Sequence, residues 1–142
     1  LTLGGRARID EFRHGELEEL AIIRVLGFES LGDLSRFPKL KVLRIEDQIR
    51  LKSLDLSTAS SHLERLLLLN CKGLERIGQV GHLSGLKELR ISGTKIEFDT
   101  LLATKMPPTL RTFGFYTASL KANDAYRAKL NALGFDEFTP RA

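Results

Sequence analysis

The residues able to act as nucleophile, base or metal ligand are few, and their spacing argues against a reaction centre. His14, His62, His82 and the single cysteine, Cys71, are the natural candidates in this chain of 142 residues. No two histidines keep the i, i+4 interval that sets two imidazoles on one helix face for a metal ion. A lone cysteine with a distant histidine fits a thiolate nucleophile, so Cys71 is the one residue with a catalytic reading. Glu18-Glu19 and Glu46-Asp47 have the residue types of acid/base pairs, but nothing around them suggests a pocket that would shift their pKa values. Leu3-Gly4-Gly5 is too short for a phosphate loop, because no G-x-x-x-x-G-K-[ST] follows. Gly81 and Gly85 flank a turn and read as close-packing residues. No catalytic, cofactor-binding or metal-ligating residue is expected, and a non-enzymatic protein is the leading reading.

What positions these residues is a repeat. The phrases Leu17-x-x-Leu20-x-Ile22, Leu40-x-x-Leu43-x-Ile45, Leu63-x-x-Leu66-x-Leu68, Leu86-x-x-Leu89-x-Ile91 and Leu110-x-x-Phe113-x-Phe115 recur at intervals of 23, 23, 23 and 24 residues. Counted from each opening leucine, positions 4 and 6 are apolar in every copy, the period-2 pattern of a strand with one buried face. Phe28, Leu51 and Leu74 share position 12, and Leu31, Leu54 and Ile77 share position 15. Beyond them apolar residues recur every third place, as Leu31, Leu34, Phe37, Leu40 and again Ile77, Val80, Leu83, Leu86. That interval suits a 3₁₀ turn, in which i and i+3 eclipse. The second copy breaks step, with Leu56 and Ala59 out of place, so Ser57 to His62 reads as loop. Pro107 and Pro108 argue against helix at the end of the fourth copy.

A period of this length built on L-x-x-L-x-L resembles the leucine-rich repeat family, intracellular type, over nearly the whole chain. The resemblance implies an α/β class: a solenoid with a parallel concave β-sheet, short 3₁₀ or irregular convex segments and a C-terminal capping helix. It implies that Cys71 is a structural thiol, since it falls on the family's cysteine/asparagine position, position 9. The other copies carry Val25, Gln48, Thr94 and Ala118 there, so a continuous side-chain ladder at that position is not expected.

The organisation follows. Residues 1–16 read as a partial or atypical N-terminal repeat, with Leu1 and Leu3 at positions 4 and 6 and Ile9 and Phe12 at positions 12 and 15. Residues 17–118 hold the five repeats. Residues 119–142 form a cap with a helix over about 123–133, started by Asn123 or Asp124, ended by Gly134, and turning Tyr126, Leu130 and Leu133 inward. Ala122 to Phe138 would cover Phe113 and Phe115. The chain opens at Leu1 and not at Met, which raises the expectation of sequence upstream. One cysteine precludes an internal disulfide and favours a cytoplasmic setting.

With positions 4 and 6 inside, positions 3, 5 and 7 face outward. Leu67 and Leu69 are then forced out at the centre of the sheet, among Ile23, Val42, Arg44, Glu46, Arg65, Arg90 and Tyr116. An apolar cluster rimmed by charge marks a protein-binding surface. A partner protein on the concave face is therefore the leading expectation. The alternatives are a recognition arm of a larger signalling, immune-sensor or effector-ligase protein, and a self-assembling homo-oligomer. No cofactor is expected. The net charge of +4 is small and its charges interleaved, and no apolar run approaches a membrane span, so neither nucleic acid nor membrane is an expected partner.

Overall fold

The computed structural model describes residues 1–6 and 15–137, and its chain winds as a parallel β-solenoid. Ile9, Phe12, His14 and Phe138 lie outside the described residues. Strands β1 (Thr2–Gly5), β2 (Glu19–Val25), β3 (Val42–Glu46), β5 (Arg65–Leu69), β7 (Glu88–Ser92) and β8 (Thr112–Tyr116) form one six-stranded sheet in the order β1-β2-β3-β5-β7-β8. Glu19, Val42, Arg65, Glu88 and Thr112 are paired in succession, so each coil advances by the sequence period with no slip.

Backbone hydrogen bonds carry this register between coils. The Glu18 carbonyl accepts from Lys41 N at 2.7 Å and Val42 N at 3.0 Å; Lys41, Glu64 and Lys87 repeat the arrangement toward the following coil. Leu20, Ile22, Leu43, Ile45, Leu66, Leu68, Leu89 and Ile91 are at most 1% exposed, so positions 4 and 6 form the core as the alternation requires. Truncating one such leucine to alanine costs about 2–5 kcal/mol through the lost transfer energy and the cavity left behind. Leu1 departs from the pattern: it is 46% exposed, because β1 begins at Thr2 and no described strand lies beyond it.

Five of the six strands of this sheet carry a left-handed residue at or just beyond their C-terminal end. Gly5, Arg24, Asp47, Asn70 and Gly93 have φ between +50° and +66°. This is position 8, one residue before the expected ladder position. Asp47 joins three coils there: its carboxylate accepts from Arg24 Nε at 2.9 Å and from Asn70 Nδ2 at 2.6 Å. Asp47 and Asn70 tolerate the left-handed conformation through their short polar side chains, and Gly5 and Gly93 because they carry no Cβ. Arg24 has no such excuse and stands there with its guanidinium tied to Asp47. Asn70 and Arg24 together hold the Asp47 carboxyl below its ordinary value.

The far side of each coil is mixed. The expected 3₁₀ turns occur at Leu34–Arg36 and Val80–His82. The broken second copy is loop, as read, and supports its neighbour: Thr58 Oγ1 accepts from Leu34 N at 2.9 Å. Three elements were not legible in the sequence. β4 (Ser53–Asp55) and β6 (Arg76–Gly78) pair as a second, two-stranded parallel sheet, and the fourth coil holds a short helix, α1 (Phe98–Leu102).

The cap requires a correction. Helix α2 spans Leu120–Ala132, and its N-cap is Ser119, whose hydroxyl accepts from Ala122 N at 3.1 Å. Asn123 is instead buried within the first turns, accepting from Thr117 N at 2.6 Å and donating to Thr117 O at 3.0 Å. Ser119 wins because Asn123 is already committed to tying the helix to the end of β8. Leu130 is buried but Leu133 is 59% exposed. The chain turns at Gly134, φ +95°, and Phe135 packs on Phe113 in its place, at 5.5 Å between ring centres. Tyr126 stacks on Phe98 at 4.1 Å and meets Phe115 edge-on at 5.5 Å, so the cap covers the last coil's aromatics as expected. Asp136 then bridges Thr112 and closes that edge of the sheet.

Two outcomes follow from the left-handed column. Asn70→Val, a β-branched side chain at φ +54°, should lose about 1–2 kcal/mol more than Asn70→Gly in chemical denaturation, since both variants lose the bond to Asp47 and only one is strained. Because the folded Asp47 pKa is lowered, its contribution is present above the ordinary carboxyl value and lost as pH falls through the folded one. The wild type should therefore lose its stability advantage over Asp47→Asn on acidification; a constant difference down to pH ~2 would refute the linkage.

Candidate functional site

The outward face of the six-stranded sheet collects three columns. Position 3 stacks Glu19, Val42, Arg65, Glu88 and Thr112; position 5 stacks Ala21, Arg44, Leu67, Arg90 and Gly114; position 7 stacks Ile23, Glu46, Leu69, Ser92 and Tyr116. The structure thus brings all nine expected residues onto one face: Ile23, Val42, Arg44, Glu46, Arg65, Leu67, Leu69, Arg90 and Tyr116.

The geometry corrects the picture of an exposed leucine pair. Leu69 is half-buried, but Leu67 is only 8% exposed, although its side chain lies outside the core cluster. In-register stacking sets Arg44 and Arg90 one strand away on either side, about 4.8 Å off, and arginine stems cover apolar surface while keeping the charged head wet. What faces solvent is a shallow hollow of about 410 Å³ with an apolar floor that includes Ala21, Val42, Leu67 and Leu69, and with Arg44, Arg65 and Arg90 around it.

The charges of this face are mutually engaged. Arg44 Nη2 lies 2.8 Å from Glu46, and Arg65 Nε lies 2.6 Å from Glu88, the latter pair no more than 19% exposed on either side chain. Arg90 places its guanidinium 5.7 Å from the Tyr116 ring centre. Tyr116 Oη reaches Glu137 at 3.4 Å, and Glu137 is also held by Arg127 Nε at 2.9 Å. Burial, then the Glu137 charge, pushes the Tyr116 phenol above its ordinary value.

Gly114 was missed. A Cβ there would stand 2.8 Å from Tyr116 Cε2, so the missing side chain is what lets the ring fold back along the sheet toward Arg90. A glycine where the other copies carry Ala, Arg or Leu is the available signal. Asp47, Asn70 and Arg24 were likewise missed, because the ladder was sought one position later.

Among the described residues, the chemistry-bearing side chains do not converge. Cys71 is fully buried, with Sγ 3.6 Å from the carbonyl oxygens of Ile45 and Leu69, and burial raises its pKa, leaving the thiolate scarce at neutral pH. His62 and His82 are exposed on the far side of the coils. Glu18 faces Lys41 at 3.3 Å, and Glu46 and Asp47 are tied to different arginines. Among the described residues no group of three or more His, Cys, Asp or Glu side chains is placed to hold a metal ion, and no helix is long and apolar enough to cross a membrane.

Comparison with protein-family models, with curated proteins and with solved structures returned no match.

Tyr126→Phe leaves Tyr116 as the sole tyrosine, so alkaline absorbance titration would read it alone. Its midpoint should lie above 10, and Glu137→Gln should bring it down by removing the neighbouring negative charge. A midpoint at the ordinary value would show that the ring is not held in this setting.

Proposed function

We propose that the chain is a leucine-rich repeat module that binds a partner protein through the concave, outward face of its six-stranded sheet. The observation that carries the reading is the hollow over Leu67 and Leu69, an apolar floor in a field of three arginines with a tyrosine beside it. Arginine and tyrosine are the residue types that most often dominate interfaces, and they work best around a desolvated centre. Pre-paired charges such as Arg65–Glu88 are held in one geometry before a partner arrives, which lowers the ordering cost of binding.

The visible face is small. Five of the six strands supply three outward positions each, fifteen in all with Gly114 among them, against about 20–30 residues on each side of a standard interface. Either the adjoining loops take part or the contact is transient. A role as the recognition arm of a larger protein rests on the same face, with the activity lying elsewhere in that protein.

Leu69→Glu with Arg90→Glu tests the reading without burying a new charge in the core, since Leu69 is only half-buried. Affinity capture from the cells that express the chain should lose its specific partner, by about tenfold or more for a hot-spot pair, while the circular dichroism spectrum stays that of the wild type. Capture that survives the double variant but fails with changes on the opposite side, such as Arg76→Glu, would move the interface off the sheet.

A further inference from the structure

The loops leaving β2 and β3 carry two aliphatic side chains that the fold leaves in water. Leu26 is 68% exposed and Ile49 is 74% exposed, while Val25, Phe28, Gln48 and Leu51 around them are buried. They share position 10 of adjacent coils, 23 residues apart, and line one hollow together. Their backbone is anchored: Leu26 N donates to Gly5 O at 2.6 Å. Gly73 brings the next loop so close to Ile49 that a Cβ there would strike the Ile49 carbonyl. Two large apolar tips on a fixed base have no structural duty.

Cations surround them. The Arg24 and Arg50 side chains are 79% and 70% exposed. Position 10 continues in the next two coils as Lys72 and Lys95, both exposed, and Lys95 N donates to Leu74 O at 2.8 Å, which stacks those loops along the same rim. Among the described residues of these loops, Asp47 lies 2.9 Å from Arg24, Glu29 lies 3.9 Å from Arg50, and Glu75 and Glu97 share a hollow with Lys95. Arg24, Arg50, Lys52, Lys72 and Lys95 outnumber these four acids by one.

We propose that this rim is a peripheral attachment site for an anionic lipid surface, with Leu26 and Ile49 entering the acyl boundary and Arg24, Arg50, Lys72 and Lys95 lying at the headgroups. Apolar tips flanked by Lys and Arg are the composition that holds a protein in the interface plane, where apolar burial and attraction to acidic lipids add. Leucine is under-represented at protein hot spots, and a rigid partner would need a matching pocket for each tip, whereas acyl chains yield around both. The sequence expectation of no membrane partner rested on the lack of a spanning segment, and an interfacial contact needs none. This surface is separate from the sheet face, so the two readings stand or fall apart.

Co-sedimentation of the 142-residue chain with vesicles of phosphatidylcholine plus phosphatidylglycerol, against phosphatidylcholine alone, tests it. Binding is expected to the anionic vesicles, to weaken with added salt, and to fall about tenfold or more in Leu26→Ser/Ile49→Ser. Both sites are exposed, so the variant should keep the wild-type circular dichroism spectrum, and Leu69→Glu/Arg90→Glu should still sediment. No binding to anionic vesicles overturns the proposal. So does binding that salt abolishes while the Leu26/Ile49 variant behaves as wild type, because charge alone would then explain it. Loss of a captured soluble protein in that variant, with vesicles ignored by the wild type, would assign the rim to a protein contact instead.

Discussion

The structure depends on the ladder of backbone hydrogen bonds that joins β2, β3, β5, β7 and β8 without slip. The carbonyls of Glu18, Lys41, Glu64 and Lys87 each accept two amides from the following coil, and this sets the period as a physical translation. Once the offset is zero, every sequence position becomes a column of neighbours about 4.8 Å apart. Chemistry must then be compatible down the column as well as along the chain. Position 2 alternates as Glu18, Lys41, Glu64, Lys87 before Arg111 ends the order, with ion pairs at 3.3 and 3.5 Å in the Glu18–Lys41 and Glu64–Lys87 steps. Exposed pairs of this kind add little stability, but like charges in the same places would oppose the register.

The same constraint gives Leu67 a structural duty beside its place in the proposed interface. Arg44 and Arg90 occupy the same column two strands apart, and a third cation between them would be repelled from both sides. Leucine separates them and accepts their stems, so it is at once outward-pointing and almost wholly covered. The hollow on the sheet face is a consequence of this packing. Its floor is apolar because the column needs a neutral spacer there, and its rim is fixed because Arg65–Glu88 and Arg44–Glu46 are already paired.

A solenoid must also end, and the two ends are handled by different chemistry. At the C-terminal end the aromatic quartet of Phe98, Phe113, Phe115 and Tyr126 replaces the smaller side chains of inner coils, Phe135 folds onto it, and Asp136 takes up the hydrogen bonds that another coil would have made. Such covering of the last coil protects both its apolar face and its strand edge. Asn123 is the joint of this arrangement, since one buried amide satisfies both backbone groups of Thr117 and aims the helix across β8.

The sequence by itself determined the coil period, the strands of the larger sheet, and the inward and outward positions within its five repeats, because alternation and repetition are properties of order along the chain. It also located the two 3₁₀ turns and the loop of the broken second copy. Only the tertiary structure decided the rest. The left-handed column at Asp47 and Asn70 depends on where each strand turns relative to its neighbours, and the pairing of β4 with β6 on two coils being extended at the same level. The helix began at Ser119 because Asn123 was claimed by Thr117, a contact that forms only once α2 lies against β8. Burial of Leu67 and exposure of Leu26 and Ile49 were likewise invisible in residue type. Exposure is set by what covers a side chain from the neighbouring coils: Leu67 has long arginine side chains on both sides, whereas Leu26 and Ile49 project from their loops into solvent.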